Sequence, residues 1–415
     1  MNARSLWALL VAGGLAAAGC NAILGISEHP VATADTDATT GKDAGSGSGS
    51  SSGTGSSSGS GSGSDAGSGS GSGTGSSTGS GSGSSECPGG PDSGPPSCAT
   101  PGPGTGCCGT TGDSCCTTLG VDGGTFSRTY TNTGTGPTGE ADPATISTVN
   151  LDKYLVTVGR FRRFVAAVNQ SYFPPARSGK HTYLNSGNGL ANNSTPATPV
   201  YEPGWVAADD VNIAPTNENL AVCAPEPTPT PTWTPAVGDH ENLPVNCVNW
   251  YEAYAFCIWD GGFLASEAEW EYAAAGGSQQ REYPWGSAAP GSANAYAIYG
   301  DFYPGRMIDA GTPRLAPVGS APMGAGVWGQ LDLAGNVWEW VLDWVDRPYV
   351  DPCVNCAFVP SSPPNLGTDA GAAPARAFRG GSAYDIIKTL EPTWRGWNTP
   401  TDRRSGVGFR CARAP

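Results

Sequence analysis

Basic residues are scarce in this chain and histidine is nearly absent. Lys and Arg number 21 against 36 Asp and Glu, for a formal net charge of −15, and the basic residues nowhere cluster. A nucleic-acid partner therefore lacks the basic surface it requires, and contact with anionic lipid headgroups is disfavoured on the same ground. The three histidines are His29, His181 and His240. His181 and His240 fall in loop-like stretches with no Glu at a ligand spacing, so both read as solvated loop residues. The apolar run from Leu6 to Ala18 is too short to cross a bilayer, which takes ~20 residues.

That run suits export instead. Arg4 precedes it and Leu15-Ala16-Ala17-Ala18-Gly19-Cys20 closes it, so residues 1–19 read as a signal peptide and Cys20 as the lipidated cysteine of a bacterial lipoprotein. The motif departs from the usual lipobox in one respect: Ala17 stands three residues before the cysteine and Leu15 lies further back. An ordinary secretory cut nearby is the alternative. Asn21 after the cysteine favours the outer membrane, with the domain periplasmic or surface-exposed. Residues 20–86 then form a tether, since all but five of residues 45–85 are Gly or Ser. Such a chain has almost nothing to bury, stays disordered, and spans about 35 Å on average.

Twelve cysteines remain besides Cys20, an even number that suggests disulfides in an exported chain. Six of them, Cys87, Cys98, Cys107, Cys108, Cys115 and Cys116, crowd a Pro/Gly-rich segment at 87–120 whose pairing stays open. A zinc site there lacks both the usual C-x2-C spacing and a nearby histidine.

Folded structure is expected at 121–415. Twelve of thirteen tryptophans lie from Trp205 onward. A strand is predicted over 148–156. Val158, Phe161, Phe164, Val165 and Val168 then share one helical face. Asn249 caps a second helix carrying Trp250, Ala253, Tyr254, Cys257 and Ile258. Ser266 with Glu269 opens a third by a capping box, and it runs to Gly276. Residues 169–244, 283–326 and 348–374 are rich in loop formers. The fold class is α+β, irregular and loop-rich.

Six ordered blocks carry a resemblance: Asn246 to Cys257, Ser266 to Ala274, Tyr283-Pro284-Trp285-Gly286, Gly335-Asn336-Val337-Trp338-Glu339-Trp340, Arg379-Gly380-Gly381-Ser382 and Gly408-Phe409-Arg410-Cys411. Gly123-Gly124-Thr125-Phe126 and Leu151-Asp152-Lys153-Tyr154 form a weaker opening. Together they resemble the formylglycine-generating enzyme, or sulfatase-modifying factor, family. That implies a mixed fold poor in regular structure and distantly similar to C-type lectins. Two departures, Phe263-Leu264-Ala265-Ser266 for the family's Arg-Leu-Pro-Thr and Leu155 for a Glu, read as structural.

The resemblance also implies chemistry that the residues can be tested against. Copper-dependent members hold Cu(I) through two cysteines, three and eight residues after the serine of Arg-Gly-Gly-Ser. Those positions are Asp385 and Leu390 here, neither a thiolate, so no copper is expected. Cys353 and Cys356 read as a local disulfide. Iron-dependent members need a histidine-rich site, and a serine hydrolase would need a His–Asp pair beside Ser382; neither pattern is present. The carry-over retains a structural calcium site, with side chains of Asp332 and Glu339 and carbonyls of Gly335 and Val337 as ligands. Its rival is an exposed Asp332 with Glu339 paired to a nearby arginine. The family also implies a Cys257–Cys411 disulfide and a lectin-like groove near Trp338, Ser382 and Arg395, while Cys223–Cys247 is a weaker pairing that the resemblance does not supply. A noncatalytic module binding a peptide, glycan or envelope partner is the favoured function, against a formylglycine-type oxidase with a displaced site.

Metabolic labelling with a palmitate analogue is expected to mark the wild-type protein and not Cys20→Ala; equal label in both would remove the anchor.

Overall fold

Regular structure begins where the glycine-rich chain first alternates polar and apolar residues. The computed structural model describes residues 94–191, 200–223, 230–300, 315–345, 349–359 and 374–415. The signal peptide, Cys20, the Gly/Ser tether, His29 and Cys87 lie outside the described residues. Strand β1 (Thr118–Val121) leads to a hairpin of β2 (Gly124–Asn132) and β3 (Pro137–Ile146), and then to β4 (Val149–Asp152). Phe126, Arg128 and Tyr130 of β2 point inward at a spacing of two, as one buried face of a strand requires. Neither the hairpin nor β1 was anticipated. The strand expected at 148–156 ends at Asp152, because the chain then leaves β1: Val156 N donates to Phe409 O, and Thr157 caps a helix.

That helix, α1 (Val158–Asn169), buries Val158, Phe161 and Phe164, while Val165 and Val168 of the expected stripe are only half-buried. The described part of the long loop after it contains one turn of helix, α2 (Asn217–Leu220). Helix α3 (Trp250–Trp259) opens on a complete capping box between Asn249 and Glu252, and α4 (Glu267–Ala275) on another between Ser266 and Glu269. Gly276 ends α4 at φ 68°, a left-handed position that suits glycine. All nine residues of α4 are buried, so it is a core helix rather than an amphipathic one.

The remaining strands are β5 (Trp338–Trp344), β6 (Cys353–Val354), β7 (Arg376–Arg379), β8 (Arg395–Asn398), β9 (Val407–Gly408) and β10 (Ala412–Arg413). They complete three small sheets, ordered β1-β4-β10, β2-β3-β6 and β8-β7-β5-β9. Every residue of β5 is buried, which places it at the centre of the last sheet with α3 and α4 packed nearby. The largest core cluster joins Phe161 and Phe164 of α1, Phe256 of α3 and Phe409. Phe256 and Phe409 meet edge to face at 5.4 Å.

Residues 94–120 pack onto the rest of the domain. Arg160 donates to Ser97 Oγ and to Cys115 O, and Ser97 N donates to Asp260. Disulfides Cys98–Cys116 and Cys108–Cys115 staple this segment, and Cys107 is disulfide-bonded too. Elsewhere Cys223 bonds Cys247, Cys353 bonds Cys356, and Cys257 of α3 bonds Cys411, across 154 residues of sequence. Closing so long a loop stabilises by up to ~5 kcal/mol in the chain-entropy model. Cys257→Ala with Cys411→Ala is expected to lower the denaturant midpoint by a substantial part of that; an unchanged midpoint would show that the bridge adds nothing to stability.

Candidate functional site

The turn that follows β7 is built by two glycines. Gly380 and Gly381 take φ of 102° and 72°, and a Cβ on Gly381 would lie 3.0 Å from Thr389 O. The turn brings Ser382 and Asp385 together beneath β5. Asp385 Oδ2 accepts from Ser382 N at 3.0 Å and from Trp338 Nε1 at 2.8 Å, and the Ser382 hydroxyl donates to the same oxygen. Leu390 ends the short turn Ile387–Leu390 and is packed among Tyr283, Ala297, Tyr299 and Ala334.

A second group of candidates lies at the start of β5. Glu339 is fully buried, and both its oxygens are held by Arg410, whose Nε and Nη2 donate at 2.6 and 2.8 Å. Arg410 continues to Leu331 O, Asp152 O and Lys153 O, so one guanidinium ties three segments together. Asp332 is also buried and accepts from Gly319 N at 2.6 Å. Burial pushes its carboxyl up to about 6, with Glu339 adding to the rise and Gly319 N–H and Arg410 opposing it.

His181 corrects the sequence reading. It is fully buried, not solvated, and it bridges two glutamates: Nδ1 lies 3.1 Å from Glu202 and Nε2 3.1 Å from Glu269. Burial alone would disfavour the charged ring, yet Glu269 and Glu202 outweigh it and raise the pKa to about 10. The partners stand 21 and 88 residues away in sequence, which is why spacing rules did not find them. A usable signal was present nonetheless. Three glutamates at alternate positions of a helix otherwise made of Ala, Trp and Tyr have to find cations if that helix is buried.

Set beside known proteins, residues 109–415 match the family described as "Sulfatase-modifying factor enzyme 1-like domain". The chain belongs to this family. It is 31% identical over 232 residues to the formylglycine-generating enzyme of Thermomonospora curvata, covering 51% of this chain and 73% of that protein. Identity to the mouse formylglycine-generating enzyme is 37% over 177 residues, 41% of this chain and 44% of that one. Identity to the hercynine oxygenase of Mycolicibacterium thermoresistibile is 36% over 174 residues, 41% of this chain and 35% of that one. The chain therefore spans less than half the length of the last two.

Within this sulfatase-modifying-factor-like domain the residues do not fit the copper implied by the resemblance. Asp385 is a hard oxygen donor already holding three hydrogen bonds, and Leu390 sits in an apolar cluster. Cys353 and Cys356 supply no thiolate pair, being bonded to each other at 2.07 Å. Calcium at Asp332, Gly335, Val337 and Glu339 does not fit as arranged either. A divalent ion would have to share Glu339 with a guanidinium that holds both of its oxygens. Glu339 thus follows the rival reading, whereas Asp332 is buried and not exposed as that reading held.

The candidate groove residues are likewise internal. Trp338, Ser382 and Arg395 are 4%, 2% and 7% exposed. Arg395 pairs with Glu267 and lies over the ring of Tyr349. Their polar groups are engaged inside the fold, so these three side chains do not line an open surface.

The His181 clamp has a definite pH signature. With a folded pKa of about 10 against an ordinary 6.5, its stabilisation is complete below about pH 6.5 and fades as pH rises through about 10. His181→Ala leaves two buried carboxylates unpaired and is expected to cost about 3–5 kcal/mol near pH 6. The difference between wild type and variant, measured by urea unfolding, is expected to shrink toward pH 10; a pH-independent difference would mean that the ring is neutral in the fold.

Proposed function

We propose that this protein is a lipid-anchored envelope component whose sulfatase-modifying-factor-like domain binds a peptide, glycan or envelope protein and does not catalyse formylglycine formation. One observation carries the reading: the two positions where the family's copper thiolates belong are Asp385 and Leu390, the first tied to Ser382 and Trp338, the second packed in an apolar cluster. An oxidase needs a soft ligand pair for Cu(I) and a place for oxygen beside it. A hard carboxylate and a hydrocarbon supply neither. The Gly/Ser composition of residues 45–85 supports the display role, since a chain of that composition would let a binding domain search for a partner while its anchor stays in the membrane. The anchor itself, at Cys20 in the outer membrane, belongs to the same proposal and rests on the signal region and on Asn21.

A displaced oxidase site is the second reading, favoured by the family relationship and by the names of the relatives. The two are separated by one assay. The purified chain, reconstituted with Cu(I), is incubated under oxygen with a Cys-x-Pro-x-Arg peptide, and the mass at the cysteine is followed. No conversion is expected. Robust turnover would overturn the noncatalytic reading.

A further inference from the structure

Most buried guanidinium groups in this domain meet a carboxylate, and one of the exceptions is stacked on two indoles. Arg160, Arg379, Arg395 and Arg410 are buried, and each forms an ion pair. Arg128 is buried as well and gives Nε and Nη2 to the carbonyls of Asp142 and Val350. Arg376, the first residue of β7 and 8% exposed, differs from all of these. Its Nη1 donates to Leu342 O at 2.6 Å, while its Nε is buried with no hydrogen-bond partner among the described residues. It pairs with no carboxylate among the described residues. The guanidinium carbon lies 3.6 Å from the ring centroid of Trp250 and 3.8 Å from that of Trp344. The two indoles stabilise the cation through their faces, which leaves the N–H edge as the part still able to bind.

The charges around this arginine are few. Burial lowers its pKa to about 9, so it remains a cation at neutral pH, with Tyr251, Tyr254, Asp343 and Asp209 opposing the fall. Asp343 is already engaged, its oxygens accepting from Glu267 N and Phe358 N at 2.7 Å each. Asp209 is half-buried on the turn Ala207–Asn212, close enough to Arg376 to affect its charge but not to pair with it. A buried cation held on aromatic faces, with an unmatched donor, has the chemistry of a receptor for an external oxyanion.

We propose that Arg376 forms a carboxylate-binding subsite, in which its N–H edge takes one carboxylate of a ligand and Asp209 tunes the charge that is accepted. The subsite deepens the binding role proposed above and rests on it. Burial carries the selectivity: the cost of desolvating an ion grows with the square of its charge, whereas attraction to Arg376 only doubles for a phosphate dianion, and Asp209 opposes the dianion further. The carboxylate comes from a peptide, either at its C-terminus or on an acidic side chain.

Calorimetric titration of the full chain tests this with four probes: acetate, N-acetyl-alanine for a C-terminus, N-acetyl-glutamate α-amide for a side chain, and inorganic phosphate. The carboxylates are expected to bind saturably and phosphate more weakly. The tighter of the two amino-acid probes identifies the source. Arg376→Gln is expected to weaken binding by about tenfold or more, the loss of a charge-assisted hydrogen bond. Should that variant fail to fold, Asp209→Asn decides, because it changes a half-buried turn residue; it is expected to tighten carboxylate binding about two- to fivefold and to narrow the gap to phosphate. Carboxylate affinity that is absent in wild type, or unchanged in both variants, would overturn the subsite and leave Arg376 as a stacked structural cation. Peptide turnover in the copper assay would sink the noncatalytic reading without touching this result, so the two fail separately.

Discussion

Burying a helix that carries three glutamates is the constraint on which the rest of this domain depends. Glu267, Glu269 and Glu271 of α4 are all inside, and an unpaired carboxylate there would cost several kcal/mol. Each is therefore matched by a cation from a different part of the chain. Glu267 takes Arg379 from β7 and Arg395 from β8, Glu269 takes His181 from the long loop after α1, and Glu271 takes Arg379 again. The pairing is uneven: burial lifts Glu271 to about 8, with Glu267 adding to the rise and Arg379 opposing it. One short helix thus aligns two strands and one loop. This is how a chain poor in regular structure holds a defined tertiary arrangement.

The same principle recurs around the core. Arg160 of α1 is fully buried between Asp152 of β4 and Asp260 at the end of α3, and Arg413 of β10 joins both carboxylates. Arg410 fastens Glu339 of β5, and Arg403 fastens Glu252 of α3. Such pairs add little net stability over a hydrophobic core of equal volume, but breaking one is costly. They specify which loop sits where. Where that matching stops, at Arg376, a cation is left for something outside the chain.

The elements that carried a local signal were legible. Asn249 and Ser266 cap their helices as expected, because a cap depends on residues within three positions of each other, whereas the Thr157 cap of α1 emerged only from the structure. The β2–β3 hairpin was missed because Thr, Ser, Pro and Gly dominate its sequence, and its buried face is only Phe126, Arg128, Tyr130 and, on β3, Ala144 and Ile146. His181 was misread for the opposite reason, since its loop looks polar while its two partners lie far along the chain. The groove assignment failed similarly: Trp338, Ser382 and Arg395 were placed by resemblance, and only three-dimensional packing revealed how few of their atoms reach solvent.

The sequence by itself determined the family, the starts of α3 and α4, the order and spacing of the six family-like blocks, and the presence of Asp385 and Leu390 where the resemblance implies a thiolate pair. All of these are statements about residue identity at short or ordered spacing. Only the tertiary structure decided the charge pairing: that Glu339 belongs to Arg410, that His181 is a buried cation, and that Arg376, held on two indole faces, keeps an unmatched buried donor. The physical reason is that ion pairs form between side chains tens to hundreds of residues apart, and their strength is set by burial, which no local pattern encodes.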